Sequence, residues 1–230
     1  MLTKKNNYAK SRLNVYLHKF IKNVKKYFIN VLKLIILTEL IIIMNIDEII
    51  SNIYPLPESS ISNLKNHISE VSYSKNFCLM EADKVVPYIY FIKKGIVRAY
   101  ATTQEKDITF WFGTEGGTIV SMKSYVEDKP GYENIELLED CELYKLETES
   151  LRKLFNEDIY IANWGRKFAE KELVKTEELI ISRQFKTALE RYKDLIKNKS
   201  ILLQRIQLGH IASYLGITQV SLSRIRAEIR

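Results

Sequence analysis

A cluster of residues near the C-terminus carries the side chains best suited to chemistry with a nucleic acid. Thr218, Gln219, Val220, Ser221, Ser223, Arg224 and Arg226 are short, polar or cationic apart from the one valine. Amide and guanidinium groups pair with base edges in a major groove, while hydroxyls and cations reach phosphate oxygens. Such contacts need a rigid helix, so the residues around them must supply one. Leu208, Ile211, Ala212 and Leu215 recur at helical spacing and give an apolar face to a first short helix. Gly216 stands where a helix end wants a residue tolerant of left-handed φ. Ile217 is apolar in the turn, and Thr218 suits an N-cap. Leu222, Ile225 and Ile229 then supply the buried face of a second helix. Two short helices about a tight turn make a helix-turn-helix. Spacing alone also suits an αα-hairpin of some unrelated domain. Ala212, where a bulky group would part the helices, and the two arginines on the open face point to DNA.

Nothing else in the chain reads as catalysis. The histidines, His18, His67 and His210, are scattered, and no G-x-S-x-G, P-loop or H-E-x-x-H motif occurs. His210 precedes the first helix of the pair and reads either as a phosphate contact or as a surface histidine without a role. Cys78 and Cys141 match no metal spacing and read as reduced core residues, a disulfide being the minor alternative. No enzyme, cofactor or metal is expected.

The net charge of +7 is unevenly spread. Residues 1–43 carry nine Lys/Arg and one acid, residues 44–181 carry 16 basic and 24 acidic groups, and residues 182–230 carry ten basic and three acidic. An acidic body with a basic C-terminal part is expected when that part faces phosphate. In the first segment, basic residues precede an apolar run from Tyr27 to Ile43, interrupted by Lys33 and Glu39. Three readings stay open there: an over-extended reading frame with the protein starting at Met44, a genuine extra helix, or a membrane anchor.

From Met44 the pattern is regular. Ile46, Ile49, Ile50 and Ile53 form a helical stripe ended by Pro55 and Pro57, and Ser59 or Ser60 suits the cap of a second helix. The period then becomes two, predicting strands near 71–73, 77–80, 88–93, 96–102, 107–112, 133–138 and 142–146. Short strands at this spacing predict an antiparallel sandwich or jelly roll, with Gly95 in a hairpin turn. The aromatics Tyr88, Tyr90, Phe91, Trp111 and Phe112 read as its core. A proline-free helix follows from Asp158 to about Ser182, then another from Arg183 to Lys197 with Phe185, Leu189, Tyr192 and Ile196 inward. On the long helix Ala162, Gly165, Ala169, Leu173, Thr176 and Ile180 share a face. It packs either on a second copy or on the chain's own barrel.

The stretch I-A-S-Y-L-G-I-T-Q-V-S-L-S-R-I-R, Ile211 to Arg226, resembles the Crp–Fnr transcription regulators. Upstream, Y-F-I-K-K-G-I-V-R-A-Y, Tyr90 to Tyr100, is similar to the glycine-turn hairpin of that family's sensor barrel. The resemblance covers about Met44 to Arg230. It implies an α+β protein: a cyclic-nucleotide-binding-like β jelly-roll sensor over 44–157, a dimerisation helix over 158–182 and a helix-turn-helix domain over 183–230, with 1–43 an extension outside it. The implied partners are double-stranded DNA, a second copy of the chain and RNA polymerase, in the cytoplasm. Gln219, Val220 and Arg224 would face bases, and Thr218, Ser221, Ser223 and Arg226 the backbone. The effector stays unknown. Cyclic-nucleotide-binding relatives carry a carboxylate after the turn glycine and an arginine on the phosphate. The matching stretches here are Gly116-Gly117-Thr118-Ile119-Val120-Ser121 and Pro130-Gly131-Tyr132-Glu133. Neither partner is present, so cyclic AMP is not expected to bind, although Lys123 and Lys129 offer substitute cations. The rival reading is a membrane-associated signalling module held by the basic N-terminal helix.

Overall fold

The computed structural model describes residues 43–229 and residue 24. The expectations placed on residues 1–43 therefore lie outside the described residues, save for Val24 and Ile43. Among the described residues no helix is long and apolar enough to cross a membrane.

Helix α1 (Ile46–Ile53) starts with a capping box between Asn45 and Glu48 and buries Ile46, Ile49 and Ile50. Helix α2 (Glu58–Lys65) has Pro57, not a serine, at its N-cap. Ser60 is instead buried one turn in.

Eight strands follow: β1 (Ile68–Tyr73), β2 (Cys78–Met80), β3 (Tyr88–Lys94), β4 (Val97–Thr102), β5 (Asp107–Gly113), β6 (Thr118–Ile119), β7 (Asn134–Leu137) and β8 (Cys141–Glu147). They form two antiparallel four-stranded sheets, ordered β1-β8-β3-β6 and β2-β7-β4-β5, a jelly roll. Strand β6, whose two residues are too few to show a period, and the six-residue helix α3 (Met122–Glu127) fall outside the predicted elements. Ile89, Phe91, Tyr144 and Leu146 fill one part of the interior, and Tyr90, Ile92, Val97, Ile135, Leu137 and Leu143 another. Gly95 turns from β3 to β4 at φ +111, and a Cβ there would lie 2.4 Å from Cys141 Sγ. Cys141 is buried and burial pushes its thiol up to about 12, which keeps it protonated.

Helix α4 (Thr148–Glu157) closes the barrel and α5 (Ile159–Phe185) runs on as one helix of 27 residues. Asp158 caps α5 by accepting from the Tyr160 and Ile161 amides. Its first half packs on its own chain. Ile161, Trp164 and Phe168 are buried, Trp164 Nε1 donates to Ile50 O at 3.0 Å, and a Cβ on Gly165 would lie 2.4 Å from the Phe155 ring. The smallness of Gly165 thus serves Phe155 rather than a second copy. The second half leaves Leu173, Val174, Ile180, Ile181 and Phe185 exposed. Phe185 is not on the inner side of the next helix: it ends α5 at 74% exposure. Helix α6 (Ala188–Asn198) begins later, at a Thr187–Glu190 capping box, and a further short helix, α7 (Ser200–Arg205), follows it.

Candidate nucleic-acid interface

The last two helices, α8 (Leu208–Leu215) and α9 (Gln219–Ile229), form the expected helix-turn-helix. Ile211, Ala212 and Leu215 of α8 and Leu222 of α9 are buried together with Tyr192, Leu195, Leu202 and Ile206. Ala212 at 2% exposure leaves no room for a larger side chain. Gly216 adopts φ +69, its amide donates to Ser213 O, and the Ile217 amide reaches back to Ala212 O, so the turn satisfies the carbonyls of the helix end. Thr218 Oγ1 accepts from the Ser221 amide at 3.1 Å, the predicted N-cap. The two apolar stripes are shorter than the sequence suggested. Leu208 and Ile229, at their outer ends, are 40% and 39% exposed, because the cluster they would join does not extend that far.

Each predicted contact residue lies on α9 or its cap. Gln219, Val220, Ser223 and Arg224 are exposed along one outward surface, with Val220 at 62%. Ser221 and Arg226 are half-buried. Thr218 is exposed but its hydroxyl is engaged by the Ser221 amide and, at 3.0 Å, by Ser221 Oγ. Gln219 also packs inward: a Cβ on Gly209 would stand 2.5 Å from its Nε2, so Gly209 gives this amide its resting place on α8. Arg224 and Arg226 have no carboxylate partner among the described residues, which leaves their charge available to an anion.

The opposite side of the pair is fastened to the barrel, and sequence reasoning missed this entirely. Ser213 Oγ accepts from the Thr109 amide and donates to Asp107 O, both at 2.9 Å, and the Tyr214 and Phe112 rings lie 5.2 Å apart. Phe112 is buried as expected, but by the helices and not by its own sheet. Arg205, at the end of α7, bonds both Glu115 and Glu139 of the barrel, at 2.7 Å and 2.5 Å for the closest atoms. His210 is half-buried and points at the barrel rather than at a phosphate; its Nδ1 lies 2.9 Å from Arg98 Nη1. Arg98 is itself 5% exposed. Its Nε lies 2.6 Å from Glu136 as an ion pair, but misaligned for a hydrogen bond. Burial first, and the Arg98 guanidinium second, hold the His210 pKa below its ordinary value. These partners are up to 112 positions apart in sequence, and no local pattern signals them.

At the barrel stretch aligned with the phosphate-binding turn, Gly116 has φ +80 and Gly117 donates to Thr114 O. Glu133 and Ser121 are buried against Gly131, whose Cβ would fall 2.5 Å from Ser121 Oγ and 2.7 Å from Glu133 Oε1. A carboxylate thus occupies the neighbourhood where an anion would need a cation. Lys123 and Lys129 are both exposed, and Lys129 is paired with Glu127.

Residues 70–158 match the cyclic nucleotide-binding domain family. No curated protein matches the chain's sequence. Among solved structures, FixK2 from Bradyrhizobium japonicum is 21% identical, covering 70% of this chain and 84% of its own at a TM-score of 0.60. The c-di-GMP-responsive global regulator CLP of Xanthomonas campestris is 15% identical, covering 75% and 91% at 0.60. A protein from Eubacterium rectale assigned to the Crp/Fnr family of transcriptional regulators is 15% identical, covering 76% and 85% at 0.61. The barrel's match to the cyclic nucleotide-binding domain family, and a fold shared with these regulators, support the Crp–Fnr resemblance carried by Ile211 to Arg226.

Proposed function

We propose that the chain is a sequence-specific, DNA-binding transcription regulator that acts as a homodimer in the cytoplasm. The observation that carries this reading is the outward surface of α9. Gln219, Val220, Ser223 and Arg224 are exposed there on a helix whose inner side is fixed by Ala212, Leu215 and Leu222. Gln219, Val220 and Arg224 would meet base edges, and Thr218, Ser221, Ser223 and Arg226 the sugar-phosphate backbone. The Thr218 hydroxyl would keep its cap and share its remaining lone pair or proton.

The domain reading is a sensor over 44–157, a dimer helix over 158–182 and a reader over 183–230. The exposed apolar residues Leu173 and Ile180, on one face of α5, support a second copy as partner of that helix. A two-fold dimer would set two recognition helices ~34 Å apart on a palindrome. RNA polymerase would be the partner through which bound protein affects transcription. Cyclic AMP is not the effector in this reading. Its phosphate would have to lose water beside the buried Glu133 without a compensating cation. No observation on the described residues favours the membrane-tethered alternative.

The test is selection of DNA fragments from a random pool by the purified full chain, followed by sequencing. Enrichment of a two-fold symmetric site supports the reading. A pool that stays random at physiological salt, with the protein folded, overturns it.

A further inference from the structure

A cavity of about 560 Å³ opens where the barrel, the long helix and the reader meet, and no α9 residue lines it. Its lining includes an apolar group: Phe110, Trp111 and Phe112 of β5, Tyr214 of α8, and Leu195 and Leu202. Strand β5 contributes three successive aromatics because it is the edge strand of its sheet, paired only with β4, so side chains from both of its faces reach the cavity at that edge. The cavity falls within the usual range of small-molecule sites, ~300–1,000 Å³.

Its wall is cationic. Lys175 and Lys186 are paired with Glu172 and Asp194, each at 2.7 Å. The other three cations have no carboxylate partner among the described residues. Arg183 donates to Thr109 O at 3.1 Å and Arg191 to Leu215 O at 2.8 Å. Carbonyls satisfy their hydrogen bonds without cancelling their charge. Lys199, although exposed as a residue, has its ammonium crowded by the cavity wall. Loss of water there, then the like charge of Lys175, draws its pKa down. Against these cations the cavity sets one unpaired acid, Glu178. Of the α5 residues that line the cavity, Lys175, Glu178, Leu179 and Ser182 lie roughly 140° around the helix from Leu173, Thr176 and Ile180, at about 100° per residue, with Ile181 and Arg183 at the two margins. A second copy seated on the latter stripe would leave the cavity open.

We propose that this cavity binds a small organic anion with a flat apolar body. The ring system would lie against Phe112 and Tyr214, and the carboxylate would take up the charge of Lys199, Arg183 and Arg191. An occupant would touch the barrel, α5 and the reader at once, so it would stiffen the junction that orients α9.

The test is titration calorimetry of the full chain with three probes that share one ring system: 2-naphthoate, 2-naphthalenemethanol and 2-naphthylmethylammonium. The expected result is saturable binding of the carboxylate, at least tenfold weaker binding of the alcohol, and none of the ammonium. Lys199→Met should weaken the carboxylate at least fivefold and leave the alcohol unchanged. Ser182→Trp, which fills the space from α5, should abolish both. Because Ser182→Trp can disturb folding, the exposed Lys199 variant carries the decision on charge. No saturable binding of 2-naphthoate, equal binding of all three probes, or an unchanged carboxylate affinity in Lys199→Met overturns the proposal. No DNA enters these measurements, so their failure leaves the reading of α9 untouched.

Discussion

The two helices of the C-terminal pair are near neighbours in sequence and opposite in use. Helix α8 buries Ile211, Ala212 and Leu215, and spends its remaining side chains on the barrel through His210, Ser213 and Tyr214. Helix α9 buries only Leu222 and turns Gln219, Val220, Ser223 and Arg224 to solvent. A helix free of packing duty can be read by a ligand, and a helix full of it can transmit position. Under the proposed DNA-binding reading the pair divides orientation from recognition, and substitutions on the two helices should separate these roles.

The largest effect is expected where the two helices meet. Ala212→Glu would place a carboxylate at a site 2% exposed, with no cation beside it, a mechanism that costs several kcal/mol. DNA binding should be lost while size-exclusion chromatography still shows the assembly of the parent chain. Normal site affinity in a folded Ala212→Glu protein would mean that the helices do not pack in this way. Next in size is Arg205→Met, on the coupling side. Glu115, with a side chain 3% exposed, would lose its cation, and breaking a buried pair from one side costs ~3–5 kcal/mol. Hydrogen exchange should accelerate in α7 and α8 and stay unchanged in β3 and β8. Equal acceleration throughout would show that Arg205 supports the whole fold and not the junction.

On α9 the effect should be smaller and of another kind. Arg224 is exposed and unpaired, so Arg224→Ala should leave the melting temperature within error. A guanidinium paired bidentately with guanine contributes ~1–3 kcal/mol of discrimination. Specific affinity should fall accordingly, with relaxed preference at one symmetric base pair in a selection experiment. An unchanged selected site would remove Arg224 from the base-reading set.

This division was legible in the sequence on one side only. The outer helix could be read because its signals are local: Gly216, the Thr218 cap and the periodic leucines sit within a few residues of each other. The strands were equally local, and the hairpin at Gly95 was found from its glycine. The coupling side was not legible, because Arg205 with Glu115 and Arg98 with His210 pair across 90 and 112 positions. Charge partners at that range leave no periodic trace. Thr187-Ala188-Leu189-Glu190 is a capping-box pattern, which would have ended the long helix at Phe185 and put that side chain outside. Periodicity also overran its partners at Leu208 and Ile229, where apolar residues continue beyond the surface they could cover.

The smallest effect expected is a pH dependence at the junction, and its sign follows from the geometry. In the docked arrangement His210 Nδ1 lies against the Arg98 guanidinium, which can only donate, so the ring is neutral. Burial and then Arg98 lower its pKa, while Glu136 and Asp107 pull the other way. Once the reader detaches from the barrel, the imidazole regains water and loses Arg98, so its pKa returns toward the ordinary ~6.5. Above that pH neither form binds the proton and docking is unaffected. As pH falls through ~6.5, the detached form takes up a proton that the docked form refuses, so docking weakens with acidification until the docked pKa is reached. The indole of Trp111, which lines the cavity at this junction beside Tyr214, offers a fluorescence readout between pH 7.5 and 5.5. Detachment should appear as a red shift that grows on acidification. His210→Gln keeps an acceptor for Arg98 but does not titrate, and should flatten the response. An equal shift in His210→Gln would assign the pH dependence to the carboxylates around Arg98 instead.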